Sequence, residues 1–188
     1  MKLTNNKCAV EVTLDKNFDL SSPDHREYDL VLNVDGYTAQ DFYRVLSLTV
    51  NLFHEQYNVA LVGSGQSYPD DCAVLDDEVL TVVQDNRVIR FDLQNRTVAA
   101  TYDTDLYGCA FGLYSTSDGY FVHGELEVAR YDKDFNKKWG FSGRDIFVSP
   151  NDKQAFRLLD DRVCLYDFED NYYEVDYNGN QLLYRPHN

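Results

Sequence analysis

Three cysteines open segments that read as equivalent strands: Cys8-Ala-Val10, Cys72-Ala-Val74 and Cys109-Ala-Phe111. Thiolates gathered on one axis would hold a zinc ion if a histidine or carboxylate completed the set. None of them has the paired spacing of a zinc site, and a reduced cysteine packs as a small hydrophobe, so packing is the favoured reading. Cys164, between Val163 and Leu165, reads as core. His123, in Tyr120-Phe-Val-His-Gly124 and followed by Glu125, is the candidate proton carrier; His25, His54 and His187 are scattered. A hydrolytic partner for it is missing, because the chain has no Gly-x-Ser-x-Gly elbow. Gly63-Ser64-Gly65 lacks the lysine and the spacing of a phosphate loop. Acidic clusters at Asp70-Asp71, Asp76-Asp77-Glu78, Asp160-Asp161 and Asp167–Asp170 lack the alternating ligands of a calcium loop and read as turns. No catalytic residue, cofactor or metal is expected.

Aromatic residues beside acids give a different kind of candidate. Tyr102, Tyr107, Tyr114, Tyr120, Tyr172 and Tyr173 combine large contact area with a polar tip, the profile of protein-binding residues. The chain has a formal charge of −15, with 5 Lys/Arg against 10 Asp/Glu in residues 1–70 and 12 against 22 in residues 71–188. Such a field repels nucleic-acid phosphates and anionic lipid, and steers a basic protein inward. A protein partner of basic character is therefore expected, with neither nucleic acid nor membrane.

Elements that could position these residues are strands. Hydrophobic residues make up 44% of 188, and 15 Tyr and 11 Phe stand against one Trp, a bias that suits pleated, half-buried surfaces. No run reaches the length of a membrane span. The opening MKLTNNKCAVEVTLDKN has no long apolar stretch or small-residue cleavage site, so a cytoplasmic location with reduced thiols is expected.

Two markers recur along the chain. One is a strand ending in an aromatic, an Asp and a polar turn: Arg87–Asn95, Glu127–Asn136 and Arg162–Asn171 align on Asp92, Asp132 and Asp167. The other is the small apolar opening at residues 8–10, 72–74 and 109–111, with Ile146-Phe-Val148 following. Together they divide the chain into four units, about 7–63, 72–103, 109–143 and 145–185, of one β-repeat domain. Short apolar runs at 72–75, 79–84, 87–93 and 97–102, and their counterparts in the later units, are parted by turn residues and imply antiparallel meanders. In the first unit, Leu46, Leu48, Val50 and Leu52 alternate with Ser47, Thr49 and Asn51 and favour a strand, while Ala39–Arg44 would also suit a short helix. The repeated Asp residues are expected to order their turns by accepting nearby backbone N–H groups.

Val148-Ser-Pro-Asn-Asp-Lys153, Ala155-Phe-Arg-Leu-Leu159 and Arg162-Val-Cys-Leu-Tyr-Asp167 together resemble a blade of the WD-repeat β-propellers. Tyr131–Trp139 and Asp176–Leu182 are similar to the corresponding turn of quinoprotein-type propellers. The resemblance spans residues 72–185 and implies an all-β fold of four propeller-like antiparallel sheet repeats, first strand innermost, as a closed small ring or an open array. Small size, acidity and the lack of a catalytic motif point to a non-enzymatic protein-interaction module, such as an acidic immunity-type or inhibitor protein. The alternative is a small-ligand binder or hydrolase using a pocket on a propeller face.

Overall fold

Alternation of apolar and polar side chains becomes strand after strand in the computed structural model, which describes residues 1–22, 27–64, 68–151 and 153–187. Met1–Tyr102 and Asp103–Asn188 form two compact units.

In the first unit, β1 (Lys2–Thr4), β2 (Ala9–Asp15), β3 (Leu30–Leu32), β4 (Arg44–Asn51) and β5 (Gln56–Gly63) make one sheet in the order β1-β2-β4-β5-β3. Val10 faces Val50, Val12 faces Leu48, and Leu48 faces Val59, so one side of the sheet is continuous aliphatic surface, nearly all of it buried. The other side carries Val45, Ala60 and Val62 under Phe18, Leu20, Tyr28, Val31, Tyr37 and Tyr43. β3 pairs with β5 in parallel, because the 33–43 connection leads to β4 and the β4–β5 hairpin then reverses the chain. The helical alternative for Ala39–Arg44 is not realised. Asp41 Oδ2 instead accepts from the Thr38 N–H at 2.7 Å and the Thr38 hydroxyl at 2.8 Å, fixing a turn, and Arg44 already begins β4.

The second sheet runs in chain order through β6 (Ala73–Asp76), β7 (Val79–Gln84), β8 (Arg87–Asp92) and β9 (Thr97–Asp103). Its two tight hairpins place Asp77 (φ 50°) and Asp85 (φ 57°) in the left-handed region, which aspartate enters more readily than most residues.

In the second unit, β10 (Ala110–Thr116), β11 (Gly119–Gly124), β12 (Val128–Asp132) and β13 (Lys137–Phe141) form one four-stranded meander. β14 (Phe156–Leu158), β15 (Arg162–Tyr166), β16 (Tyr172–Asp176) and β17 (Gln181–Arg185) form the other. Their shared core is largely aromatic: Phe121, Phe147, Phe156 and Tyr173 with Val128, Val163, Leu165 and Val175. The all-β, four-sheet reading holds, but one equivalence within it changes. Asp92 and Asp132 end the third strand of their sheets, whereas Asp167 lies between the second and third strands of the last sheet. The counterpart of Asp132 is Asp176. Residues 146–148, the fourth copy of the opening marker, join no ladder, and Gln181–Arg185 supplies the outer strand instead. Asp152 lies outside the described residues.

Three turns of this unit share one bonding pattern. Asp132 Oδ1 accepts from the Asn136 N–H at 2.9 Å, Asp167 Oδ1 from Asn171 at 2.9 Å, and Asp176 Oδ1 from Asn180 at 2.8 Å. Each Asn amide returns to the same carboxylate. The residue before the Asn is left-handed each time: Phe135, Asp170 and Gly179. Asp92 closes its turn with Asn95, one residue sooner.

Candidate functional site

Three loops of the second unit meet on the backbone of Glu125. Its N–H donates to the Cys109 carbonyl at 2.8 Å, and its carbonyl accepts from the Phe147 N–H at 2.6 Å. Gly124 N–H donates to the Glu127 carbonyl at 3.0 Å, closing the β11–β12 turn with Leu126 at its tip. Gly108 (φ +77°) lets the 104–109 loop pass beneath Glu125; a Cβ there would stand 2.9 Å from the Glu125 carboxylate. These constraints leave Tyr107 74% exposed and Leu126 44% exposed along a groove of about 380 Å³, also lined by Ser142, Gly143, Arg144, Asp145 and Ile146. The Ile146 carbonyl accepts from the N–H of Phe168, itself half exposed. Glu125 and Asp145 bring negative charge to its edge, while the Arg144 guanidinium lies 5.1 Å over the Tyr184 ring.

Of the six candidate tyrosines, Tyr107 alone is largely exposed. Tyr120 and Tyr173 are corrections, because both belong to the core. Tyr120 is 4% exposed and stacks on Phe135 at 4.4 Å, and Tyr173 is 3% exposed with its hydroxyl donating to Asp167 at 2.7 Å. Burial pushes the Tyr173 phenol up to about 12. Tyr114 is half-buried and stacks on Phe156 at 4.3 Å, and Tyr172 is half-buried with its hydroxyl on Glu174 at 2.8 Å. Tyr102 is half-buried in β9 of the first unit. Leu126 and Phe168 were missed by sequence. Their only signal is an apolar side chain at a turn, where polar residues are the rule.

His123 carries no proton chemistry. It is 4% exposed, with Nε2 against the Phe147 carbonyl at 2.9 Å and the ring stacked on Phe156 and edge-on to Phe111. Burial lowers its pKa to about 4, so the neutral ring donates to that carbonyl at neutral pH. Gly63-Ser64 serves packing: a Cβ on Gly63 would meet the Gln84 side chain at 2.3 Å, and Ser64 bonds to Asp85 through its N–H and hydroxyl. Gly65 and His25 lie outside the described residues.

Each acidic cluster has a member paired with a cation, Asp70 with the N-terminal amine among them. Asp77 pairs with Lys7, Asp161 with Arg162, and Asp170 with Lys153. Among the described residues no group of three His, Cys, Asp or Glu is placed to hold a metal ion. Cys8 is buried with its thiol on the Asp77 carbonyl at 3.3 Å, and burial pushes the fully enclosed Cys72 thiol up to about 12.

No family model and no curated protein matches the sequence. Solved structures with a similar arrangement of sheets include Hsv2 from Kluyvelomyces marxianus, at 7% identity and TM-score 0.46, over 82% of this chain and 49% of that one. BamB from Moraxella catarrhalis is similar at 10% identity and TM-score 0.49, over 84% and 50% respectively. Both are β-propellers. The chain thus spans about half the length of the structures it matches. Strand order and the recurrent meander, rather than these distant likenesses, define the propeller-like repeats.

Proposed function

We propose that this chain is a non-enzymatic protein-interaction module that docks a basic partner on the Tyr107–Leu126 face, in the manner of an acidic immunity-type or inhibitor protein. The observation that supports this most is the exposure of Tyr107 and Leu126 over a groove built by three backbone-locked loops, in a chain of net charge −15. A rigid apolar anchor beside Asp145 and Glu125, in an acidic chain, supplies contact energy at its centre and steering at its rim. His123, the one residue that favoured a hydrolytic alternative, is a sealed structural group.

Affinity capture from the native host at low salt tests the reading, using the wild-type chain beside a Tyr107→Ser/Leu126→Ser variant. A specific basic protein retained by the wild type, released as salt rises and lost from the variant is the expected outcome. Equal retention by both proteins, or no retained protein at any salt, overturns the assignment.

A further inference from the structure

A second groove, in the first unit, has the opposite electrostatic character. It lies where the end of β2 meets the start of β4, with Asp15 opposite Val45, and has a volume of about 510 Å³, within the range of small-molecule sites. Leu14, Phe18, Tyr43 and Val45 provide apolar lining, and Phe42 stands at the groove 71% exposed. Phe18 is held edge-on to Tyr28 at 5.6 Å, and the Tyr43 hydroxyl accepts from the Leu20 N–H at 2.8 Å, so the lining is braced.

Charge decides what it would take. Asp15, the one carboxylate among the described lining residues, is engaged on both oxygens: Oδ1 accepts from the Asn17 N–H at 2.8 Å and Oδ2 from the Tyr28 hydroxyl at 2.7 Å. Its two cations, Lys16 and Arg44, are exposed and have no carboxylate partner among the described residues. Three other cations of this unit do meet carboxylates, in Asp35–Arg87, Glu55–Arg96 and Asp77–Lys7. Arg44 lies 5.7 Å over the Phe42 ring, an arrangement that keeps its charge beside an aromatic face. In a chain with nearly twice as many acids as bases, two cations against one engaged carboxylate give the described lining of this groove a net positive charge.

We propose that this groove binds a small organic anion bearing an aromatic ring, with the ring against Phe18, Phe42 and Val45 and the anionic group between Lys16 and Arg44. The proposal is independent of the docking face on the second unit.

The probe is 1-anilinonaphthalene-8-sulfonate, with its uncharged parent N-phenyl-1-naphthylamine as the control for apolar contact alone. Fluorescence titration of the native chain is expected to show one saturable site for the sulfonate, with affinity falling as salt rises. The uncharged parent should bind about tenfold more weakly, a difference matching one charge-assisted contact. A Lys16→Glu/Arg44→Glu variant should lose at least about tenfold in sulfonate affinity, and Phe42→Ser a smaller factor, while Tyr107→Ser leaves it unchanged. Both cations are exposed, so the fold is retained, and near-ultraviolet circular dichroism verifies this. Equal affinity for the two dyes, insensitivity to the double charge reversal, loss through Tyr107→Ser, or the lack of a saturable site would each overturn the assignment.

Discussion

Asp132 and Asp167 make almost the same turn in different surroundings. Each carboxylate accepts from the backbone and the amide of the Asn four residues on, and each turn places a non-glycine residue in the left-handed region before that Asn. Asp132 is partly exposed and also pairs with Lys138. Asp167 has no exposed surface, Asn171 is 4% exposed, and the buried Tyr173 hydroxyl adds a further donor. Water can replace the carboxylate at the first turn and cannot at the second. The bonding is local and repeated; its worth is set by burial.

Asp167→Ala should therefore be the most damaging of the turn substitutions, costing about 4 kcal/mol, because the Asn171 N–H, the Asn171 amide and the Tyr173 hydroxyl all lose their acceptor where solvent cannot substitute. Urea unfolding measures it, and a cost no greater than that of Asp132→Ala would break the comparison.

His123 extends the contrast to acid. Its folded pKa, lowered by burial to about 4, lies below the unfolded value of 6.5, so the unfolded chain binds the extra proton between those limits. Stability from this group is complete above pH 6.5 and lost as pH falls towards 4, about 3 kcal/mol over the window. Melting temperatures followed from pH 7.5 to 4.5 should fall for the wild type and fall less steeply for His123→Leu, whatever the latter's absolute stability. Parallel slopes would remove His123 from the account. The carboxylates follow at lower pH: the Lys138 ammonium and Asn136 donors hold Asp132 well below the usual carboxylate range, so its contribution persists to more acidic conditions than that of His123.

Gly179→Ala probes the third turn, where φ is +88° and the added Cβ would stand 2.9 Å from the Trp139 ring. Strain and overlap together should cost about 1.5 kcal/mol. The same turn position holds Phe135 and Asp170 elsewhere, so a neutral Gly179→Ala would show that the backbone alone tolerates any residue there. Asp132→Ala should have the smallest effect, a drop in melting temperature roughly a third or less of that caused by Asp167→Ala, since its donors return to water.

These turns also show how far the sequence could be read. The four sheets and the Asp-ordered turns were legible because each rests on local chemistry. Matching Asp167 to Asp132 failed because Asp167–Asn171 and Asp176–Asn180 carry the same motif nine residues apart, and Tyr166-Asp167 mimics Tyr131-Asp132 more closely than Val175-Asp176 does. Strand parity could have placed Tyr173 in the core, since Tyr173 and Val175 alternate with Glu174 and Asp176 in β16, but it could not do so for Tyr120. All six positions of β11 are buried, so neither of its faces is a solvent face from which a tyrosine could be recognised. Tyr107 was legible as a candidate, whereas Leu126 and the Lys16–Arg44 groove depend on loops and strand ends brought together by the fold.

The enclosure of Cys72 gives the first unit a built-in recorder of its own opening. A thiol without solvent contact and with its ionisation pushed up to about 12 has almost no nucleophilic thiolate near neutrality while the sheet is closed. Alkylation by iodoacetamide at that cysteine would mark molecules that had transiently come apart, so the mass added over time becomes a count of excursions from the native state.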